Sequence, residues 1–199
     1  MIKVLISSLI ITVFLTGCLT KELPAYTTYT LKLIDEKSTS TIKTNKSLLI
    51  TEPKSLASLK TKNILYTQDL EQNYYVLSMW SDEPSKMIQQ LLVNKISSTQ
   101  NYNYVTSSKM KQQTDYTLYS ELISFKHQIE DKNSSAVLKI RVYLKNNSTS
   151  VISTKEFYYK NEVVKNNALN AVKMLNTITN IFLEDVSLFI NKSIKSQSI

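Results

Sequence analysis

The chain holds one glycine, Gly17, one cysteine, Cys18, one histidine, His127, and one tryptophan, Trp80, in 199 residues. Each scarcity removes a class of chemistry. A single cysteine forms no intramolecular disulfide. A single glycine rules out the Gly-rich phosphate loop, the dinucleotide fingerprint and the G-x-S-x-G nucleophile elbow. It also hands left-handed turn positions to Asn or Asp, and Asn is plentiful. With one histidine there is no His-based metal cluster. No apolar run approaches the roughly 20 residues needed to cross a bilayer. The most apolar late stretch, Ile181-Phe182-Leu183 and Val186 to Ile190, is broken by Glu184 and Asp185.

What is present at the N-terminus is more specific. Met1-Ile2-Lys3 is a short, positively charged start, and an apolar run from Val4 to Leu15 follows. Together with the small residue after it, this reads as a secretory signal peptide. The run ends in Leu15-Thr16-Gly17-Cys18, which looks like the lipobox of bacterial lipoproteins. That resemblance implies a diacylglyceryl thioether on Cys18, cleavage after Gly17 and acylation of the new amine. The expected organisation is a cleaved signal peptide over 1–17, a lipidated N-terminus and tether over 18–25, and one periplasmic α+β domain over 26–199. Lipid on Cys18 also removes the chain's sole thiol, so a Cys nucleophile is excluded. More than one acyl chain makes such an anchor stable.

The formal charge is +8. The lysines are scattered rather than clustered with aromatics, and an exported chain does not meet nucleic acid, so no nucleic-acid partner is expected. Attraction to an anionic lipid surface and simple solvation of the surface both remain open.

Along the domain, Tyr26 to Ile34, Ser47 to Thr51, Ile64 to Thr67 and Tyr74 to Trp80 read as strands, with a polar loop over Asp35 to Lys46. Pro53 ends the second, and Leu56 and Leu59 suggest one helical turn. A turn is expected over Asp69 to Asn73. Ser81-Asp82-Glu83-Pro84 opens a helix that Asp82 can cap, with Met87, Ile88, Leu91, Leu92 and Ile96 in one stripe, ending near Gln100 to Asn103. Thr114 to Ile129 reads as a long strand, followed by a turn over Asp131 to Ser134. Leu138, Ile140, Val142 and Leu144 alternate with Lys139, Arg141, Tyr143 and Lys145, the pattern of a half-buried strand. After a turn at Asn146-Asn147-Ser148, Val151 to Tyr159 is another strand. A closing helix, roughly Asn167 to Lys195, presents Leu169, Val172, Leu175, Ile178, Phe182, Val186 and Phe189 to the core. The fold class expected is α+β, a mainly antiparallel sheet with two main helices packed on one face.

Catalytic constellations are thin. A Ser-His-Asp set would have to use His127, which more simply is a solvent-facing or hydrogen-bonded strand residue. Glu83 with Glu121, or Asp115 with Glu121, form carboxylate pairs only at spacings that are common by chance. Trp80 stands at a strand end before the first helix, where it is either a partner anchor or the closing edge of the core. Tyr74-Tyr75 and Tyr158-Tyr159 are each expected to have one core-facing and one exposed member.

Several segments carry a family resemblance. They are Tyr29-Thr30-Leu31, Ile64-Leu65-Tyr66, Tyr74-Tyr75, Trp80-Ser81-Asp82-Glu83-Pro84 with Met87-Ile88, Thr114-Asp115-Tyr116-Thr117-Leu118 with Leu122 and Phe125, and the alternating strand over 137–144. In order and spacing they resemble the ABC-type transport auxiliary lipoproteins, the PqiC-like group that accompanies Mce-domain lipid transport systems. The resemblance implies a non-enzymatic accessory without cofactor. Its partners would be an Mce-domain protein with an ABC permease and ATPase, besides the membrane holding the Cys18 lipid. Trp80 and Pro84 mark the candidate partner contact. Leu19 rather than aspartate after Cys18 resembles an outer-membrane sorting signal. A rival reading is an assembly-factor lipoprotein that binds an outer-membrane β-barrel. Asp131-Lys132-Asn133-Ser134-Ser135 also resembles a bacterial N-glycosylation acceptor at Asn133, although a plain Asn-rich turn explains it too. Intact mass of the purified protein should correspond to a chain beginning at acylated Cys18, and Cys18→Ala should abolish both the lipid mass and the cleavage; an unmodified thiol at Cys18 would refute the anchor.

Overall fold

The computed structural model describes residues 25–34, 43–108, 113–131 and 133–196. The signal peptide, the lipobox Leu15 to Cys18, nearly all of the tether and most of the loop after Ile34 lie outside them. The chain order is β1 (Thr27–Tyr29), β2 (Ser47–Ile50), β3 (Lys54–Ser55), a 3-10 turn (Ala57–Leu59), β4 (Asn63–Gln68), β5 (Glu71–Trp80), α1 (Pro84–Ser98), β6 (Tyr104–Thr106), β7 (Tyr116–Glu130), β8 (Asn133–Asn146), β9 (Ile152–Glu162) and α2 (Ala168–Ser196).

β7 and β8 form the centre. They pair antiparallel from Tyr116↔Asn146 to Glu130↔Asn133, with one bulge between Leu122 and Ser124. Their shared inner face is apolar because the period of two puts every second residue on one side. Leu118, Leu138, Ile140, Val142 and Leu144 are all fully buried there. The outer face carries ion pairs: Arg141 Nη2 lies 2.7 Å from Glu156, Lys139 lies 3.0 Å from Glu156, and the Tyr143 hydroxyl donates to Glu121 at 3.0 Å. Such exposed pairs, screened by water, add little to stability. β9 continues the antiparallel run beyond β8.

The other edge of β7 is shared by β2, β3 and β4, laid end to end and all parallel to it. β6 adds outside β2, β5 outside β4, and β1 outside β5. The nine-stranded sheet is therefore mixed, which corrects the expectation of a mainly antiparallel one. Hairpins announce themselves through turns between neighbouring segments, whereas parallel partners here are tens of residues apart and leave no local signal. Ser47 and Asp115 pin the first of these parallel contacts. The Ser47 amide and hydroxyl donate to the Asp115 carboxylate at 2.8 and 2.6 Å, and the Asp115 amide donates back to Ser47 Oγ at 2.9 Å.

Both helices cover the inner face, in a common cluster with the strand residues. α1 begins at Pro84 as expected, but Glu83 is its N-cap and makes no side-chain capping bond. Asp82 instead accepts from the Glu83 amide at 2.8 Å, one residue too early to cap. The helix stops at Ser98, sooner than its apolar stripe suggested, and Gln100 takes the left-handed position (φ 53°) where glycine is usual. Asp69, Asp131 and Ser150 fill the other left-handed positions. Asn167 caps α2 by accepting from the Asn170 amide at 3.0 Å. Leu169 is 45% exposed and leaves the predicted apolar face, while Leu183, Ile190 and Ile194 join it.

Two polar devices tie the helices to their surroundings. Asn176 and Asn180, one turn apart on α2, hold the extended segment after β1. The Lys32 amide donates to Asn176 at 2.7 Å, the Ile34 amide to Asn180 at 2.9 Å, and Asn180 Nδ2 donates to the Lys32 carbonyl at 2.9 Å. Lys95 of α1, with its side chain 3% exposed, is ion-paired to Glu184 of α2. A buried ammonium deprived of its partner is strongly destabilising, and here the outward-facing carboxylate lets water compensate in part. Glu184→Gln should lower stability by about 1–3 kcal/mol, read as a drop in urea midpoint at constant slope, whereas Lys95→Met should cost far less; equal losses would mean the pair carries no charge-specific weight.

Candidate functional site

The residues singled out in the sequence do not converge on one spot. Trp80 ends β5, 1% exposed, with its ring centroid 5.6 Å from that of Phe125. Its amide donates to the Lys62 carbonyl at 2.6 Å, and Tyr29 of β1 lies beside it. Pro84 is buried in the first turn of α1. Of the two roles open to Trp80, core closure is the one its packing serves. As placed, neither Trp80 nor Pro84 presents its side chain to a partner.

Above them lies an open cleft of about 540 Å³ between α1 and the Thr30-Leu31 segment, with Glu52, Asp82, Lys86 and Gln89 in its walls. Its polar groups are spoken for within the chain. Ser85 Oγ donates to Glu52 at 2.9 Å, Gln89 donates to the Ile50 carbonyl at 2.9 Å, and Lys86 pairs with Glu83 at 3.0 Å. A second groove of about 530 Å³ runs between β9 and α2, past Lys155, Leu188, Phe189 and Lys192. Lys155 Nζ sits 4.6 Å over the Phe157 ring.

His127 is on the inner face of β7 and fully buried. Its Nδ1 shares a 2.7 Å hydrogen bond with the Tyr75 hydroxyl, and Tyr75 in turn packs against Tyr66 with centroids 4.9 Å apart. Burial pushes the Tyr75 hydroxyl up to about 12, so it stays neutral. Nε2 is buried without a hydrogen-bond partner among the described residues. His127 is therefore a hydrogen-bonded core residue with a tyrosine, not a serine and an aspartate, beside it. The expected division of Tyr74 and Tyr75 into one inner and one outer member does not hold. Both are half-buried, since Tyr74 donates to the Ser58 carbonyl at 3.2 Å. Tyr158 is exposed and Tyr159 inward, its hydroxyl donating to Asp185 at 2.6 Å.

The carboxylates are also apart. Asp115 is taken up by Ser47, and Glu121 faces Arg141 on the outer surface. Among the described residues no group of three or more His, Cys, Asp or Glu side chains is placed to hold a metal ion. No helix among them is long and apolar enough to cross a membrane. Asn133 is exposed where the β7–β8 hairpin reverses, next to Ser134, whose hydroxyl donates to the Val163 carbonyl at 3.0 Å.

The family model described as "ABC-type transport auxiliary lipoprotein component" matches residues 29–187, from β1 into the last turns of α2. The chain belongs to that family. This lipoprotein component is accordingly an auxiliary part of ABC-type transport. Its fold is shared with protein XCC0632 from Xanthomonas campestris at a TM-score of 0.77 and 12% identity, covering 87% of this chain and all of that one. A second solved structure, of an uncharacterized protein, matches at a TM-score of 0.68 and 14% identity over 84% of this chain and 99% of that one. No curated protein matches the sequence. At such identities the agreement is one of backbone architecture.

His127 gives the lipoprotein a pH signature. Burial pulls its pKa below the ordinary histidine value, so the folded state keeps it neutral. The unfolded chain binds a proton below about pH 6.5, so stability is fully present above that value and is lost as pH falls. The denaturant midpoint should drop between pH 7 and pH 5, and His127→Gln, in a chain with no other histidine, should flatten that slope; an unchanged slope would place the titration elsewhere.

Proposed function

We propose that this lipoprotein is the membrane-anchored, non-enzymatic accessory of an Mce-type lipid transport system operating between the inner and outer membranes. Lipid on Cys18 holds it at the periplasmic face of the outer membrane, where Leu19 directs it. The observation that carries the reading is the extent of the family match, residues 29–187, which takes in β2 to β9, all of α1 and about two thirds of α2. The sole histidine is committed to the core through Tyr75. The cleft along α1 is open, and Glu52, Lys86 and Gln89 in its walls already have partners within the chain. Such a surface suits contact and positioning better than bond chemistry.

In this role the domain contributes by confinement. A short tether raises the local concentration of the domain near an Mce-domain partner and its permease and ATPase, without a need for high intrinsic affinity. In-cell cross-linking of the tagged full chain, followed by mass spectrometry, should recover an Mce-domain protein with an ABC permease and ATPase. Cys18→Ala should lose them. Recovery of an outer-membrane β-barrel alone would replace this reading with that of an assembly factor. Deleting the gene should raise detergent sensitivity, and unchanged sensitivity would count against lipid transport.

A further inference from the structure

The most exposed apolar side chains at one end of the sheet are set on consecutive turns. Leu70 is fully exposed at the tip of the two-residue β4–β5 turn, and Val164 is 86% exposed just beyond β9. They flank one cross-strand pair, Ile129↔Ser134 of the β7–β8 hairpin. The amide of Asp69, before Leu70, donates to the Ile129 carbonyl at 3.4 Å. The amide of Val163, before Val164, donates to the Ser134 carbonyl at 2.8 Å. Leu70 and Val164 thus project from the same end, on either side of the central hairpin.

The N-terminal segment arrives from that end. β1 is parallel to β5 with Thr27 opposite Ser78, so passing back along the chain from Thr27 leads toward Glu71 and the Leu70 turn. Tyr26, 61% exposed, comes beside Leu77. There β5 leaves β4: Asn63 pairs with Met79 and Leu65 with Tyr74, so residues 75–78 have no partner in β4. Val76 and Leu77 are both exposed as a result. At roughly 3.3 Å per residue and roughly 4.8 Å per strand, Tyr26 stands roughly 20 Å from Leu70 and roughly 35 Å from Ile152 at the far end. An extended chain from Cys18 to Tyr26 reaches at most roughly 28 Å. The chain before Tyr26 therefore heads toward the Leu70 turn, and a bilayer holding Cys18 is within reach of that turn.

We infer that Leu70 and Val164 form a bilayer-facing end of this domain, seated in the surface of the membrane to which its own N-terminus is tethered. The inference rests on the anchoring reading above. The end also bears Asp69, Glu71, Glu130, Asp131 and Glu162, with Lys160 paired to Glu130 at 2.9 Å and Lys165 next to Val164. The contact is accordingly apolar insertion into zwitterionic lipid, insensitive to salt. Asn133 is exposed on the same hairpin, so a glycan there and seating on the bilayer exclude each other.

The test uses the full chain, purified in its lipidated form and reconstituted in phosphatidylcholine–phosphatidylethanolamine vesicles. Single substitutions Leu70→Cys, Val164→Cys, Ile152→Cys and Leu188→Cys, all at exposed positions, carry an environment-sensitive thiol dye, and spin-labelled phosphatidylcholine serves as quencher. Quenching several-fold stronger at 70 and 164 than at 152 and 188 is the expected result. Equal quenching at all four sites overturns the inference while leaving the anchor intact, as does protection of 70 and 164 that appears only when the transporter is co-reconstituted. A glycan mass on Asn133 also overturns it. Dye uptake by the unsubstituted chain shows an unmodified Cys18 and removes the anchoring reading itself, and this inference with it.

Discussion

Everything in this domain hangs on the β7–β8 pair. Fourteen residues of β7 find cross-strand partners in β8, and the buried half of that ribbon is the platform on which α2 rests, with α1 packed beside it on β2 and β6. The pair also templates the remainder of the sheet. β2, β3 and β4 are each too short to persist alone, and they gain their hydrogen bonds by lying in sequence along the free edge of β7. The Ser47–Asp115 bracket fixes where that row begins, so register is set by a polar contact at one end and by apolar packing along the rest.

The distribution of charge follows from the same geometry. Groups that cannot enter the core are held on the outer face of the ribbon, where Arg141, Glu156, Lys139 and Glu121 satisfy one another. Among the described residues the exception is Lys95, whose ammonium lies inside the α1–α2 contact and takes Glu184 as its counter-charge. A pair of helices joined by such a contact is oriented more than it is stabilised. The inner face carries a second polar group, His127, kept neutral by its apolar surroundings.

The sequence disclosed those elements whose signal is local. The alternation over 138–144 announced β8, the stripe from Met87 to Ile96 announced α1, and the turn residues between β7, β8 and β9 announced the meander. What stayed hidden is non-local. β6 is three residues long and exists because β2 is there to pair with it. The parallel partners of β7 come from a region about seventy positions earlier, and no pattern within 47–68 specifies that pairing. Leu169 fits the periodicity of α2 but precedes the point where the helix meets the sheet. Of the site residues, Trp80 was readable as either a partner anchor or the closing edge of the core, and only its packing on Phe125 separates the two.

The grip of Asn176 and Asn180 on the segment after β1 has a mechanical meaning. A pull on the chain before Thr27 directed along β1 would load its hydrogen bonds to β5 together in shear instead of parting them one at a time. Behind β1, the two amide side chains pass any remaining force to α2, the longest helix of the fold. Tension applied there is thereby borne by the body of the domain and is kept off the hairpins at its surface.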